Sequence, residues 1–168
     1  KAYVLNTPVE KWMKKYFGKI ARIPVPEIEK AIRRHITVKK GVRETIKACA
    51  KRGIPFEIAS GGVDLYAGPV FRNERIKARA FFGKCGIKNG KARISYPFLK
   101  GMELSDFKRS RVEHYKKKGH TVIFCGDGPN DFKAARSAHI VFADSRLYKI
   151  CLAKKVKCGK LASFLPVL

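Results

Sequence analysis

Residues Thr121–Asp131 read T-V-I-F-C-G-D-G-P-N-D. The first five are β-branched, aromatic or small and carry no charge, which is the composition of a buried strand. The Gly, Asp, Pro and Asn that follow cannot continue a strand and read as a turn. Beyond the turn, Phe132–Ser137 takes helical character, His139–Ala143 reads as a second strand and Ser145–Ala153 as a second helix. Strands alternating with helices predict a parallel sheet and the α/β class. Open sheets of that kind bind ligands outside the carboxyl ends of their strands, where Asp127 and Asp131 fall.

Two carboxylates four residues apart on a tight, glycine-containing loop suit a hard cation such as Mg²⁺. The plainer alternative is that Asp131 only caps the helix after it. Upstream, Pro55–Ala59 (P-F-E-I-A) is a short β-like run closed by Ser60-Gly61-Gly62. A hydroxyl followed by two glycines at a strand end lets backbone N–H groups approach an anion closely. An ordinary Gly-Gly turn would look the same. Between these stretches, Ser105–Lys118 reads as a basic helix, with Ser105 and Asp106 as capping candidates and Gly119 as its stop. Lys108 lies near its start.

Outward from this region, Val42–Lys51 is amphipathic and stops at Gly53. Residues 63–71 read as a helix from Asp64. Ile76–Phe82 and Lys91–Tyr96 read as strands, with Asn89-Gly90 as the turn between them. At the start, apolar residues recur at three and four over residues 8–20, an amphipathic helix that Thr7 could cap. Pro26–Arg34 is a second short helix. These two helices make residues 1–40 a candidate small helical unit, with residues 41–168 as the α/β core.

Composition bounds the partners. The 168 residues include 38 Lys and Arg against 13 Asp and Glu, a formal charge of +25. Residues 1–84 carry +13 of it and residues 85–168 carry +12, so the excess is no basic tail. Such a surface attracts nucleic acid, anionic membrane or phosphorylated metabolites, and it also fits a plain solvated exterior. The densest run is Lys108–Lys118, K-R-S-R-V-E-H-Y-K-K-K. It reads either as a nucleic-acid-binding helix or as a solvated one with Val112 and Tyr115 turned inward. No apolar run approaches the roughly 18 residues that cross a bilayer. The five cysteines include no C-x-x-C pair; Cys49 and Cys125 look like small core residues, and free thiols suit a reducing, cytoplasmic setting. The four histidines fall in no recognisable triad order.

S-G-G after one strand, a helix-borne Lys108 and G-D-G-P-N-D after the next strand together resemble the haloacid-dehalogenase-like phosphatase superfamily. The resemblance spans about residues 41–153. It is greatest to the branch that contains phosphoserine phosphatase, whose small helical cap residues 8–38 match in position. The stretch from Phe107 to the Cys151 region looks similar to the phosphatases of methylthioribose salvage.

The resemblance implies a Rossmann-like parallel core and Mg²⁺-dependent hydrolysis of small phosphomonoesters. It places Ser60 and the Gly61 N–H on the phosphoryl oxygens. Lys108 would neutralise the phosphate and the nucleophile. Asp127 would ligate Mg²⁺, and Asp131 would support the metal directly or through water. In the family an aspartate attacks phosphorus, an aspartyl-phosphate forms and water hydrolyses it. The family's first motif, D-x-D-G-T, is absent here; no D-x-D occurs and Glu10 is the first acid. Because the chain opens on Lys1 and not Met, the expectation is a fragment whose first core strand and nucleophile lie upstream. The alternative is a non-catalytic pseudophosphatase that binds phosphate or, nonspecifically, nucleic acid. Either way, the chain as it stands is expected not to turn over.

Overall fold

The computed structural model describes residues 8–17, 22–89 and 91–167. Their elements are α/β, and the chain divides into two compact units.

The first unit comprises Val9–Lys100 and the C-terminal turn. It holds α1 (Val9–Tyr16), α2 (Val25–His35), α3 (Val42–Lys51), β1 (Glu57–Val63), α4 (Asp64–Asn73), β2 (Arg79–Lys88) and β3 (Lys91–Ser95). β1 and β2 run parallel; β2 and β3 form an antiparallel hairpin in the register Lys84↔Ser95 to Lys88↔Lys91. α1 packs on β1 and β3, burying Met13, and α4 packs on β2. α3 begins at Gly41, whose φ of 87° is open to glycine at little cost, and Gly53, with φ of 65°, follows its end.

The second unit comprises Gly101–Ala162. It holds α5 (Leu104–Lys117), β4 (Ile123–Gly126), α6 (Phe132–Ser137), β5 (Ile140–Ala143), α7 (Ser145–Ala153) and the two-residue β6 (Gly159–Lys160). Its sheet is fully parallel in the order β4-β5-β6. Val141 and Ala143 alternate inward from β5 and meet Ala135 of α6 and Leu147 and Cys151 of α7, all at most 5% exposed. This is the layered packing that the alternating pattern predicts.

Several boundaries differ from the expectation, and each difference has a physical origin. Ser60-Gly61-Gly62 does not close β1 in a turn; it lies inside the strand as an irregularity. Between Ala59↔Phe81 and Val63↔Gly83, β1 uses two residues more than β2 and bulges out of the ladder. β2 starts three residues later than expected and runs to Lys88, because its pairing with β3 continues to the turn. β4 is short, and Ile123 stays 41% exposed, because among the described residues the strand pairs on one edge only. α1 covers Val9–Tyr16 of the expected 8–20; Thr7 and residues 18–20 lie outside the described residues, as does Gly90. α5 is preceded by Glu103, and neither Ser105 nor Asp106 caps it; the Asp106 carboxylate holds Lys133 at 2.9–3.0 Å instead. Cys49 and Cys125 are only half-buried, and Cys151, on the inner face of α7, is the fully buried thiol. Among the described residues no helix is long and apolar enough to cross a membrane.

Candidate functional site

The β4 loop is built around Asp131. After β4, the chain passes Asp127 and Gly128 and makes a 3₁₀ turn over Pro129–Asp131 before entering α6. Asp131 does not cap α6. Its side chain turns back, and Oδ2 accepts hydrogen bonds from the Asp127 N–H at 3.1 Å and the Gly128 N–H at 2.9 Å. Gly126 makes room for this: a Cβ there would sit 2.8 Å from the Asp131 carboxyl carbon. Oδ1 accepts from Lys108 Nζ of α5 at 2.6 Å.

This pair is sequestered, with 11% of the Lys108 side chain and 6% of the Asp131 side chain exposed. A buried ion pair stands only when its remaining bonding capacity is met, and the two loop amides do that for Asp131. Helix α7 fastens the loop from the other side. Asp144 N–H donates to Gly126 O, and Leu147 N–H donates to Asp127 O, both at 2.9 Å. Burial pushes the Cys125 thiol, next in the strand, up to about 12, so it remains neutral.

The Asp127 side chain is treated differently. Its backbone is held at both N–H and C=O, while its exposed carboxylate has no hydrogen-bond or ion-pair partner among the described residues. Asp127 and Asp131 thus share one loop that Lys108 of α5 reaches, with one carboxylate neutralised and one open.

A metal ion can be tested against this arrangement. Among the described residues no three His, Cys, Asp or Glu side chains group to hold one. Mg²⁺, however, keeps several waters and needs only one or two protein carboxylates beside substrate phosphate oxygens. Asp127 fits such a ligand. Both oxygens of Asp131 are engaged, so Asp131 fits a role behind the loop.

The other sequence candidates, Ser60 and Gly61, belong to the first unit and occupy the β1 bulge. Ser60 Oγ accepts from the Gly62 N–H at 3.1 Å, a local turn that holds the hydroxyl in place. Tyr96 donates its hydroxyl to Gly61 O at 2.7 Å. Its ring lies on Gly83, where a Cβ would approach the ring to 2.7 Å. Tyr66 stacks its hydroxyl on Gly62, leaving no space for a Cβ. Burial is the first cause raising both phenols above their usual value; at Tyr96 the neighbouring Tyr66, Glu10 and Cys85 add to it. Sequence reasoning missed these two tyrosines. Their signal is that Gly62 and Gly83 are glycines because a ring rests on each.

Comparison with known proteins follows the same line. The family model described as haloacid dehalogenase-like hydrolase matches residues 5–139. A 2-hydroxy-3-keto-5-methylthiopentenyl-1-phosphate phosphatase of Exiguobacterium sp. is 25% identical over 126 residues, 73% of this chain and 58% of that protein. A protein of the same name from Geobacillus kaustophilus is 25% identical over 146 residues, 84% of this chain and 66% of that one. The chain therefore spans little more than half the length of the first of these relatives. A substrate-bound phosphoserine phosphatase complex superimposes with a TM-score of 0.70 at 25% identity, covering 96% of this chain and 78% of that one.

Proposed function

The chain belongs to the haloacid dehalogenase-like hydrolases, and from that premise we propose that its residues form the phosphate- and cation-binding part of a phosphomonoesterase. The observation that carries this reading is the β4 loop: a buried Lys108–Asp131 pair at 2.6 Å behind an Asp127 carboxylate that is held in place yet left open. An open carboxylate beside a fixed lysine is suited to phosphoryl chemistry, in which catalysis is mostly positioning and charge neutralisation.

In this reading Asp127 ligates Mg²⁺, and Asp131 positions the loop and Lys108. Bound there, Mg²⁺ would neutralise charge on the phosphoryl oxygens. Lys108 supplies the fixed positive charge on the phosphate. Ser60 Oγ and the Gly61 N–H bind phosphoryl oxygens, the bulge freeing that backbone from the ladder. Residues 1–40 act as the small helical cap over a core of residues 41–168. The substrate is a small phosphorylated metabolite, and the 2-hydroxy-3-keto-5-methylthiopentenyl-1-phosphate named for the curated relatives is the first to try. The setting is cytoplasmic. With no D-x-D in the sequence, the chain as it stands binds phosphate and does not hydrolyse it.

The test is turnover of p-nitrophenyl phosphate with Mg²⁺, by the chain alone and by the chain joined to an upstream strand bearing D-x-D. The expected result is no turnover by the first and Mg²⁺-dependent turnover by the second, abolished by Asp127→Asn. Turnover insensitive to EDTA, or by the chain alone, would overturn the reading.

A further inference from the structure

The β2–β3 hairpin has one half-buried face and one exposed face, and α1 packs on its β3 strand. Cys85, Ile87, Ala92 and Ile94 lie on the half-buried face. The register puts Lys84, Gly86 and Lys88 of β2 opposite Ser95, Arg93 and Lys91 of β3, and all six are exposed. This open face therefore carries four cations and no acid. Lys84 is answered by Asp64 of α4 at 3.3 Å. Lys88, Lys91 and Arg93 have no ion-pair or hydrogen-bond partner among the described residues. Lys88 and Lys91 stand directly opposite one another, an arrangement that costs stability unless an anion lies between them.

Elsewhere part of the positive charge is paired. On α5, the densest basic run in the sequence, Arg109 pairs with Asp106 at 3.3 Å, and Lys116 pairs with Glu113 and donates to Ser137 O at 2.9 Å. The hairpin face is distinguished by its pattern rather than by its charge count.

We propose that this face binds the phosphate backbone of a nucleic-acid duplex. Four residues of strand place Lys84 and Lys88 about 13 Å apart, a straight row suited to a linear polyanion. A two-stranded ribbon has the width that a DNA major groove admits. Gly86 lies in the middle of the row, and nothing comes within 4 Å of where its Cβ would be. Packing does not demand glycine there, and its lack of a side chain lets a phosphate strand approach the ribbon closely. The face has no aromatic ring on which to stack an unpaired base and no large apolar side chain to enter a bilayer. Lys, Arg and Ser side chains of this kind grip the backbone, so binding is independent of sequence and falls with salt. None of these residues belongs to the proposed phosphatase site, and either reading can fail without the other.

The experiment is fluorescence anisotropy of the full chain with a labelled twenty-base-pair DNA duplex between 50 and 200 mM salt. The triple variant Lys88→Gln, Lys91→Gln, Arg93→Gln is compared with a charge-matched triple on exposed positions of α2, Lys30→Gln, Arg33→Gln, Arg34→Gln. The hairpin triple should weaken binding at least tenfold at the lowest salt. It should lower the slope of log K against log salt by about 2.7, near 0.9 for each phosphate that is no longer neutralised. The α2 triple should change affinity less than twofold. Gly86→Leu, which leaves charge unchanged and has open space, should weaken binding about threefold. Equal weakening by the two triples would reduce the effect to net charge and overturn the proposal. Binding to vesicles one-third phosphatidylserine, with none to the duplex, would overturn it in favour of a membrane.

Discussion

The β1 bulge and the β4 loop solve one problem in two ways. Each takes glycine-bearing backbone out of a strand and turns N–H groups toward a side-chain oxygen. In the bulge that oxygen is the neutral Ser60 hydroxyl, and the fixture is a phenol, Tyr96, bonded to Gly61 O at 2.7 Å. In the loop the oxygen is the Asp131 carboxylate, and the fixture is the Lys108 ammonium at 2.6 Å. A neutral fixture loses one modest bond when cut. A buried ionic one leaves a charge stranded when either half is removed, so the two regions should respond to mutation on different scales.

The largest effect tests the ionic half. Asp131→Ala strands the Lys108 ammonium and frees two loop amides, and it should cost about 3–5 kcal/mol of unfolding free energy. In a chain of this size that is on the order of a 10 °C fall in Tm by calorimetry. A loss below about 1 kcal/mol would show that the pair does not organise the loop. Gly62→Ala comes next: its methyl would overlap the Tyr66 hydroxyl, costing about 1–3 kcal/mol as overpacking. Urea unfolding should show it, and the double variant with Tyr66→Phe should recover part of the loss.

Tyr96→Phe is milder, at about 1 kcal/mol for the missing bond to Gly61 O. It carries a pH signature. The Tyr96 phenol is raised in the folded protein above its ordinary value of 10.0, so its contribution is complete below pH 10. As pH rises past 10 the unfolded chain releases that proton and the folded chain keeps it, and stability falls. The Phe variant should therefore lose stability less steeply above pH 10 than the parent. The smallest effect is Asp127→Asn. With its carboxylate unpartnered, the change should move unfolding free energy by under about 0.5 kcal/mol, as for an ordinary surface position. Yet it should remove Mg²⁺ binding detected by calorimetry. A large stability loss would instead place Asp127 among the structural acids.

The carboxylates show how far the sequence could be read. D-G-P-N-D after an apolar run marks both acids as a pair at a strand end, and the structure puts them on one loop, with Lys108 of α5 against Asp131. The division of labour between them was not legible. It depends on Lys108, which is 23 residues away in the sequence and one cation among 38. The helices α6 and α7 were legible to the residue, because each is framed by a turn and a short strand whose side chains alternate. The S-G-G stretch was not, because a bulge is a mismatch of two strands and β1 alone contains only one of them. Nothing in the sequence singled out Tyr66 or Tyr96, and only the glycines beneath their rings reveal them as fixtures.

By itself the sequence determined the alternation that makes this an α/β protein, the motifs that place it in its family and the excess of positive charge. Those are properties of composition and local spacing, and they survive in any extended chain. Tertiary structure decided which cations are spent and which are open. Lys108 is buried against Asp131, while Lys88, Lys91 and Arg93 line up on the free face of a hairpin. Charge is written in the residue, but its compensation depends on distances between residues remote in sequence, and only the folded chain sets those distances.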